Sequence, residues 1–115
     1  MNSEIIVRTY VTADGAEPFA DWLTRLKDLN AIAAVDKRIA RVRLGNLGDH
    51  KHIDGGVYEL RIHHGPGYRV YFGKEEQAIV ILLCGGDKGS QQRDIVKAKR
   101  YWTDYGREDN ANKEL

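Results

Sequence analysis

A chain of 115 residues with 42% apolar and 30% charged side chains is long enough for one buried core and too apolar for wholesale disorder. Its net charge of +1 excludes a strongly basic or acidic protein overall, and its single cysteine, Cys84, excludes an internal disulfide framework. The opening MNSEIIVRTYVT has no long apolar run behind a basic patch, so neither a signal peptide nor a membrane span is expected, and a cytoplasmic location is.

Residues 4–12, EIIVRTYVT, are rich in β-branched types and predict a first strand, ended by the turn signal ADG. Phe19, Trp22, Leu23, Leu26 and Leu29 then recur at helical spacing, with Pro18 tolerated in the opening turn. A second helix carries the stripe Ile32, Val35, Ile39 and Val42, places Lys37, Arg38 and Arg41 off it, and stops at GNLGD. The period then changes to two. VYELRI and GYRVYF alternate, and AIVILLC is apolar throughout, as befits a strand covered on both faces, with Cys84 buried in it rather than reactive. After GGDKGS, the run QQRDIVKAKRYW predicts a last helix with Ser90 as its N-cap. The order β-α-α-β-β-β-α implies an α+β fold, an antiparallel sheet with helices packed on one face, forming one domain over residues 1–105 with a polar tail at 106–115.

Burying Tyr58, Leu60, Ile62, Tyr68, Val70 and Phe72 together leaves one register for the hairpin, with HHGPG as its loop: Ile62 faces Tyr68, Leu60 faces Val70 and Tyr58 faces Phe72. The other face then sets Arg61 opposite Arg69 and Glu59 opposite Tyr71. Like charges facing each other across strands cost a few tenths to about 1 kcal/mol. Either Glu59 and solvent offset that cost, or the two guanidinium forks converge on a phosphate, with Tyr71 stacking on a base or donating its hydroxyl.

Lys88 in GGDKGSQ is expected one strand away from the arginine pair, as a proton-exchanging group or a further phosphate contact. Ile79, Ile81 and Leu83 would lie on the same face as the arginines and need cover, from the last helix or from a partner. Between Lys37 and Arg69 there are seven Lys or Arg against three acids, a polyanion footprint. All four histidines, His50, His52, His63 and His64, also fall there, but without metal-ligand spacing; they read as loop histidines near phosphate, and no metal or cofactor is expected.

The segments PFADWL, RIARVRLGNLGDHK, GVYELRIHHGPGYRVYF and ILLCGGDKGSQQRDI resemble the RelE/ParE superfamily of bacterial toxins, in its HigB-like addiction module branch. The resemblance implies a small α+β toxin of a type II toxin–antitoxin system. Such a toxin is a metal-independent endoribonuclease that cuts mRNA on the ribosome and is held inactive by a cognate antitoxin, commonly a helix-turn-helix protein. Its functional basic positions fall on Arg61, Arg69 and Lys88. With Glu59 and Tyr71 these make up the expected catalytic set, and Lys37, Arg38, Arg41, Lys51, His63, His64 and Tyr68 the expected RNA contacts. Two alternatives have different chemistry: a ParE-like gyrase inhibitor acting by protein binding, and a module that binds RNA or antitoxin without turnover. The chain departs from RelE-type toxins in being nearly neutral and in carrying Glu59 where they have a lysine.

Overall fold

The computed structural model describes the backbone of residues 4–114 and the side chains of residues 4–107. Five strands and three helices follow in the order β1 (Ile6–Thr9), α1 (Pro18–Arg25), α2 (Leu29–Arg43), β2 (His50–Asp54), β3 (Val57–Ile62), β4 (Tyr68–Glu75), β5 (Ile79–Asp87) and α3 (Gln91–Glu114). The expected α+β class is observed. The strands form one sheet in the order β1-β5-β4-β3-β2, an antiparallel meander from β2 to β5 with β1 added parallel to β5. Within the sheet, two features differ from the sequence expectation. The parallel β1 edge makes the sheet mixed, because α1 and α2 carry the chain from β1 to the far edge before the meander returns to it. The histidine-bearing segment 50–54 is not a loop but an edge strand, with Lys51 opposite Glu59 and His52 opposite Tyr58.

The β3–β4 register is the expected one at every position, including Arg61 opposite Arg69. It follows from burial. Leu60, Ile62, Val70 and Phe72 enter one cluster with Val80 and Leu82 of β5, covered by Phe19 of α1 and by Val35, Ile39 and Val42 of α2. Each such side chain, fully buried, is worth about 1.5–3 kcal/mol relative to exposure, so a one-residue slip would forfeit several of them. Helix α2 starts at Asp28, whose carboxylate accepts from the Asn30 N–H at 2.9 Å, and its last turn carries Arg41 and Arg43, favourable at a helix C-terminus.

Helix α3 takes the opposite face. Val57, Tyr71, Ile81, Leu83 and Cys84 pack there against Ala98, with Ile95 and Trp102 at the margin. Ile81 and Leu83 are thereby fully buried, so the chain itself supplies their cover. A bulge helps: Tyr71 pairs with Cys84 but Phe72 with Leu82, so Leu83 is the extra residue and both Leu83 and Cys84 reach the α3 side. The entry to α3 is a 3-10 turn, Lys88–Ser90, which is itself capped by Asp87 and ends on Ser90, the residue before the α-helix. The Asp87 carboxylate accepts from the N–H groups of Gly89 (2.8 Å) and Ser90 (3.2 Å). The helix also continues across the expected boundary at 106, to Glu114.

Candidate nucleic-acid interface

What stands between the two arginines is Glu59. Its side chain is wholly buried, accepts from Arg61 Nε at 3.0 Å through one oxygen, and meets Arg69 Nε at 3.1 Å through the other. Gln91, at the start of α3, donates to the same carboxylate at 3.0 Å. The cross-strand repulsion is therefore offset from within the protein. Of the two alternatives open to the sequence, the first is the one seen between the Nε atoms: a carboxylate bridge, with Gln91 of α3 laid against it.

Burial bears on both Glu59 and Tyr71. Glu59, at 0% exposure, is withdrawn from any role as a base for a solvent-borne hydroxyl. Tyr71 is equally buried, so it cannot stack on a base. Desolvation first, then the nearby Glu59 and Asp94 carboxylates, raises its phenol well above its ordinary pKa. Arg69 keeps only 14% of its side chain exposed, against 35% for Arg61. Lys88 is exposed on the 3-10 turn, its stem lying against Gly67 of the β3–β4 loop. The strand pairings place Gly86 beside Arg69 and Asp87 beside Tyr68, so Lys88 follows at the hairpin-tip end of the sheet.

The expected RNA contacts divide into two groups. Lys37, Arg38, Arg41 and His63 come together with Arg61 and Asp49 around a cleft of about 410 Å³, between α2 and the end of β3. Lys51 is exposed on β2, opposite Glu59. His64 and Tyr68 lie elsewhere: His64 reaches Asp28 at 3.6 Å, and Tyr68 packs edge-on to Trp22 within the α1–α2 core. Tyr68 is thus on the opposite face of the sheet from the arginines. Arg38 is corrected too. Rather than a solvated cation it is 5% exposed, and it donates to the carbonyls of Arg61 (3.3 Å), Leu47 (2.6 Å) and Asp49 (3.0 Å), tying α2 to the loop before β2.

Three residues of this region escaped the sequence reading. Asp49 accepts from or pairs with His63 at 2.6 Å and lies 3.9 Å from Arg61. The hydrogen bond to His63 is the main cause holding its carboxyl below the ordinary 3.8. Asp94, buried on α3, accepts from Ser90 Oγ at 2.5 Å, and a side chain at Gly86 would run into its carboxylate. Gln91 completes the bridge. One signal existed: Asp94 stands four residues before Ala98, on the apolar stripe of α3, where a carboxylate needs a partner. Among the described residues no group of three His, Cys, Asp or Glu is arranged to hold a metal ion. No described helix is long and apolar enough to cross a membrane.

A protein of Haemophilus influenzae with no assigned role is 51% identical over 81 residues, covering 70% of this chain and 82% of that one. The model for "Phage derived protein Gp49-like (DUF891)" matches residues 21–102, a span from α1 through the buried bridge and well into α3. The chain belongs to the phage-derived Gp49-like family, a family associated with toxin–antitoxin modules.

Proposed function

We propose that this protein is the toxin of a type II module, held off by a cognate antitoxin of the helix-turn-helix kind, and that it cuts mRNA on the ribosome without a metal. The likeness to HigB-like RelE/ParE toxins belongs to the same proposal. The observation that supports it best is Arg61: its Nε is fixed by buried Glu59, while the residue, with 35% of its side chain exposed and Nη1 3.9 Å from Asp49, also lines a cleft shared with Lys37, Arg41 and His63. A guanidinium fixed on one edge and open on the other is a preorganised donor for phosphate oxygens.

The reaction this arrangement suits is transesterification. A base takes the proton of the ribose 2′-hydroxyl, O2′ attacks the adjacent phosphorus, and the P–O5′ bond breaks as the leaving oxygen gains a proton. The products are a 2′,3′-cyclic phosphate and a 5′-hydroxyl. Arg61 offsets charge on the non-bridging oxygens, with Arg69 largely behind it. The proton transfers fall to exposed groups, Lys88 and the loop histidine His63, because Glu59 and Tyr71 are buried. Glu59 is then a positioning residue.

One preorganised donor is typically worth about 3 kcal/mol in the barrier, so Arg61→Ala should slow cleavage about a hundredfold. Mapping RNA ends after induction of wild type and Arg61→Ala tests this, with translation blocked in a parallel culture. New 5′-hydroxyl ends dependent on Arg61 support the reading. Intact RNA with DNA damage would point to gyrase, and intact RNA with normal growth to binding without turnover.

A further inference from the structure

The hydrogen-bond inventory of Arg38 does not close. A guanidinium carries five N–H donors. Nε and Nη2 use theirs on three backbone carbonyls, but Nη1 is buried and has no partner among the described residues. Native structures rarely leave such a group unsatisfied without a reason. Gly48, at φ +57°, packs directly on the guanidinium: a Cβ there would sit 2.7 Å from Nη2 and 2.8 Å from Nη1. A left-handed glycine thus lies against the idle donor, where any side chain would displace the guanidinium.

Around that donor the cleft is lopsided in charge. Lys37, Arg38, Arg41 and Arg61 line it against a single acid, Asp49, whose carboxylate is already engaged by His63. Lys37 and Arg41 are exposed, one helical turn apart on α2, and neither has an ion-pair partner within 4 Å among the described residues.

We propose that this cleft is a phosphate-binding site for a single-stranded RNA backbone, adjoining the Arg61–Glu59–Arg69 bridge, with Arg38 Nη1 as its buried donor and Lys37 and Arg41 as its flanking charges. The proposal rests on the RNA reading above and specifies where the strand beside the reacting phosphate is held. An acidic protein segment is the other polyanion to weigh. Protein interfaces gain their affinity from apolar and aromatic anchors, whereas nucleic-acid interfaces are polar and strongly positive. This cleft offers only Ala34 and Ile62 as apolar lining and no aromatic ring apart from His63 at its rim. The lining therefore favours RNA.

The test uses the full chain and a 2′-O-methyl pentanucleotide, which binds but cannot be cleaved, followed by fluorescence anisotropy across a salt series. An aspartate-rich peptide of equal charge serves as the comparison. Lys37→Ala/Arg41→Ala should weaken oligonucleotide binding at least tenfold. Loss of two phosphate contacts should also flatten the salt slope by about 1.4. Both positions are exposed, and circular dichroism confirms folding. Titration of wild type with inorganic phosphate should shift the Arg38 side-chain nitrogen resonances, a readout independent of folding variants. Affinity unchanged within twofold, an unmoved Arg38 signal, or tighter binding of the acidic peptide each overturns the proposal. Oligonucleotide binding lost in the double variant while the wild type cuts no RNA sinks the ribonuclease reading and upholds the cleft. Cutting that persists with unaltered binding does the reverse.

Discussion

Replacing Glu59 by glutamine removes one negative charge from beneath two guanidiniums while keeping the shape of the side chain. In the wild type the carboxylate accepts hydrogen bonds from Arg61 Nε and Gln91 Nε2, each at 3.0 Å, and forms an ion pair with Arg69 Nε at 3.1 Å without hydrogen-bond alignment; all three approaching groups carry N–H. The amide offers one acceptor oxygen and one NH2, so at least one donor must face a donor. A lost hydrogen bond to a charged group is worth about 1.5–3 kcal/mol, and unscreened like charges across a strand pair add up to about 1 kcal/mol. Arg61, 35% exposed, can turn to solvent and recover part of this; Arg69, at 14%, cannot easily follow. The expected loss is about 3 kcal/mol, near the low end for breaking a buried pair. For a domain of this size that corresponds to roughly 12 °C in Tm.

Urea denaturation of Glu59→Gln, Arg69→Met and the double variant measures this directly. The double variant should lose less than the sum of the single ones, with a coupling of at least about 1 kcal/mol, since the methionine no longer needs the charge. If Glu59→Gln unfolds within about 0.5 kcal/mol of wild type, the ordinary range for a surface substitution, the carboxylate is not what holds the arginines together.

Other groups respond to different perturbations. Burial, with the Asp94 carboxylate adding to it, pushes the Cys84 thiol up to about 12, so Ellman's reagent should leave it unmodified at pH 8 until denaturant is added. Rapid modification of the native protein would contradict the packing of β5 under α3. The Asp49 carboxyl is depressed below 3.8 by its bond to His63. The stability it contributes is therefore fully present above pH 3.8 and is lost as pH falls through the depressed value. A carboxyl-carbon NMR titration should show its midpoint rising toward 3.8 in His63→Ala, and an unchanged midpoint would remove His63 as the cause. Gly86→Ala drives a methyl into the Asp94 carboxylate and should cost about 1–3 kcal/mol by overpacking, seen as a lower urea midpoint with unchanged slope.

The legible and illegible parts of this fold separate by the range of the interaction involved. The β3–β4 pairing was readable because six alternating apolar residues and a five-residue loop admit one register. Strand β2 was not, since HKHID has only Ile53 as an aliphatic residue. Its His52 ring lies 4.8 Å from that of Tyr58, a contact local pattern cannot announce. Arg38 was misread for a subtler reason. Ala31, Val35, Arg38 and Val42 share one face of α2, so spacing alone puts position 38 inward although its charge favours solvent. The carbonyls that receive its guanidinium lie on other segments, Leu47 and Asp49 before β2 and Arg61 at the end of β3, and no helical pattern contains them.

Glu59 joins the two kinds of information. Its alternation with Leu60 correctly placed it beside the arginines, while its burial depends on α3 returning to lay Gln91 against it from 32 residues away. That distant contact changes the chemistry of the site. An open arginine pair would treat both guanidiniums as equivalent ligands for one phosphate. A bridged pair makes them unequal, with Arg69 held in the interior and Arg61 facing the cleft formed with α2. The reactive side of the proposed site is therefore the Arg61 side. In Arg61→Lys, a point charge replaces a planar fork that must serve the buried carboxylate and the cleft together, and the variant should lose most of the function although the charge is kept.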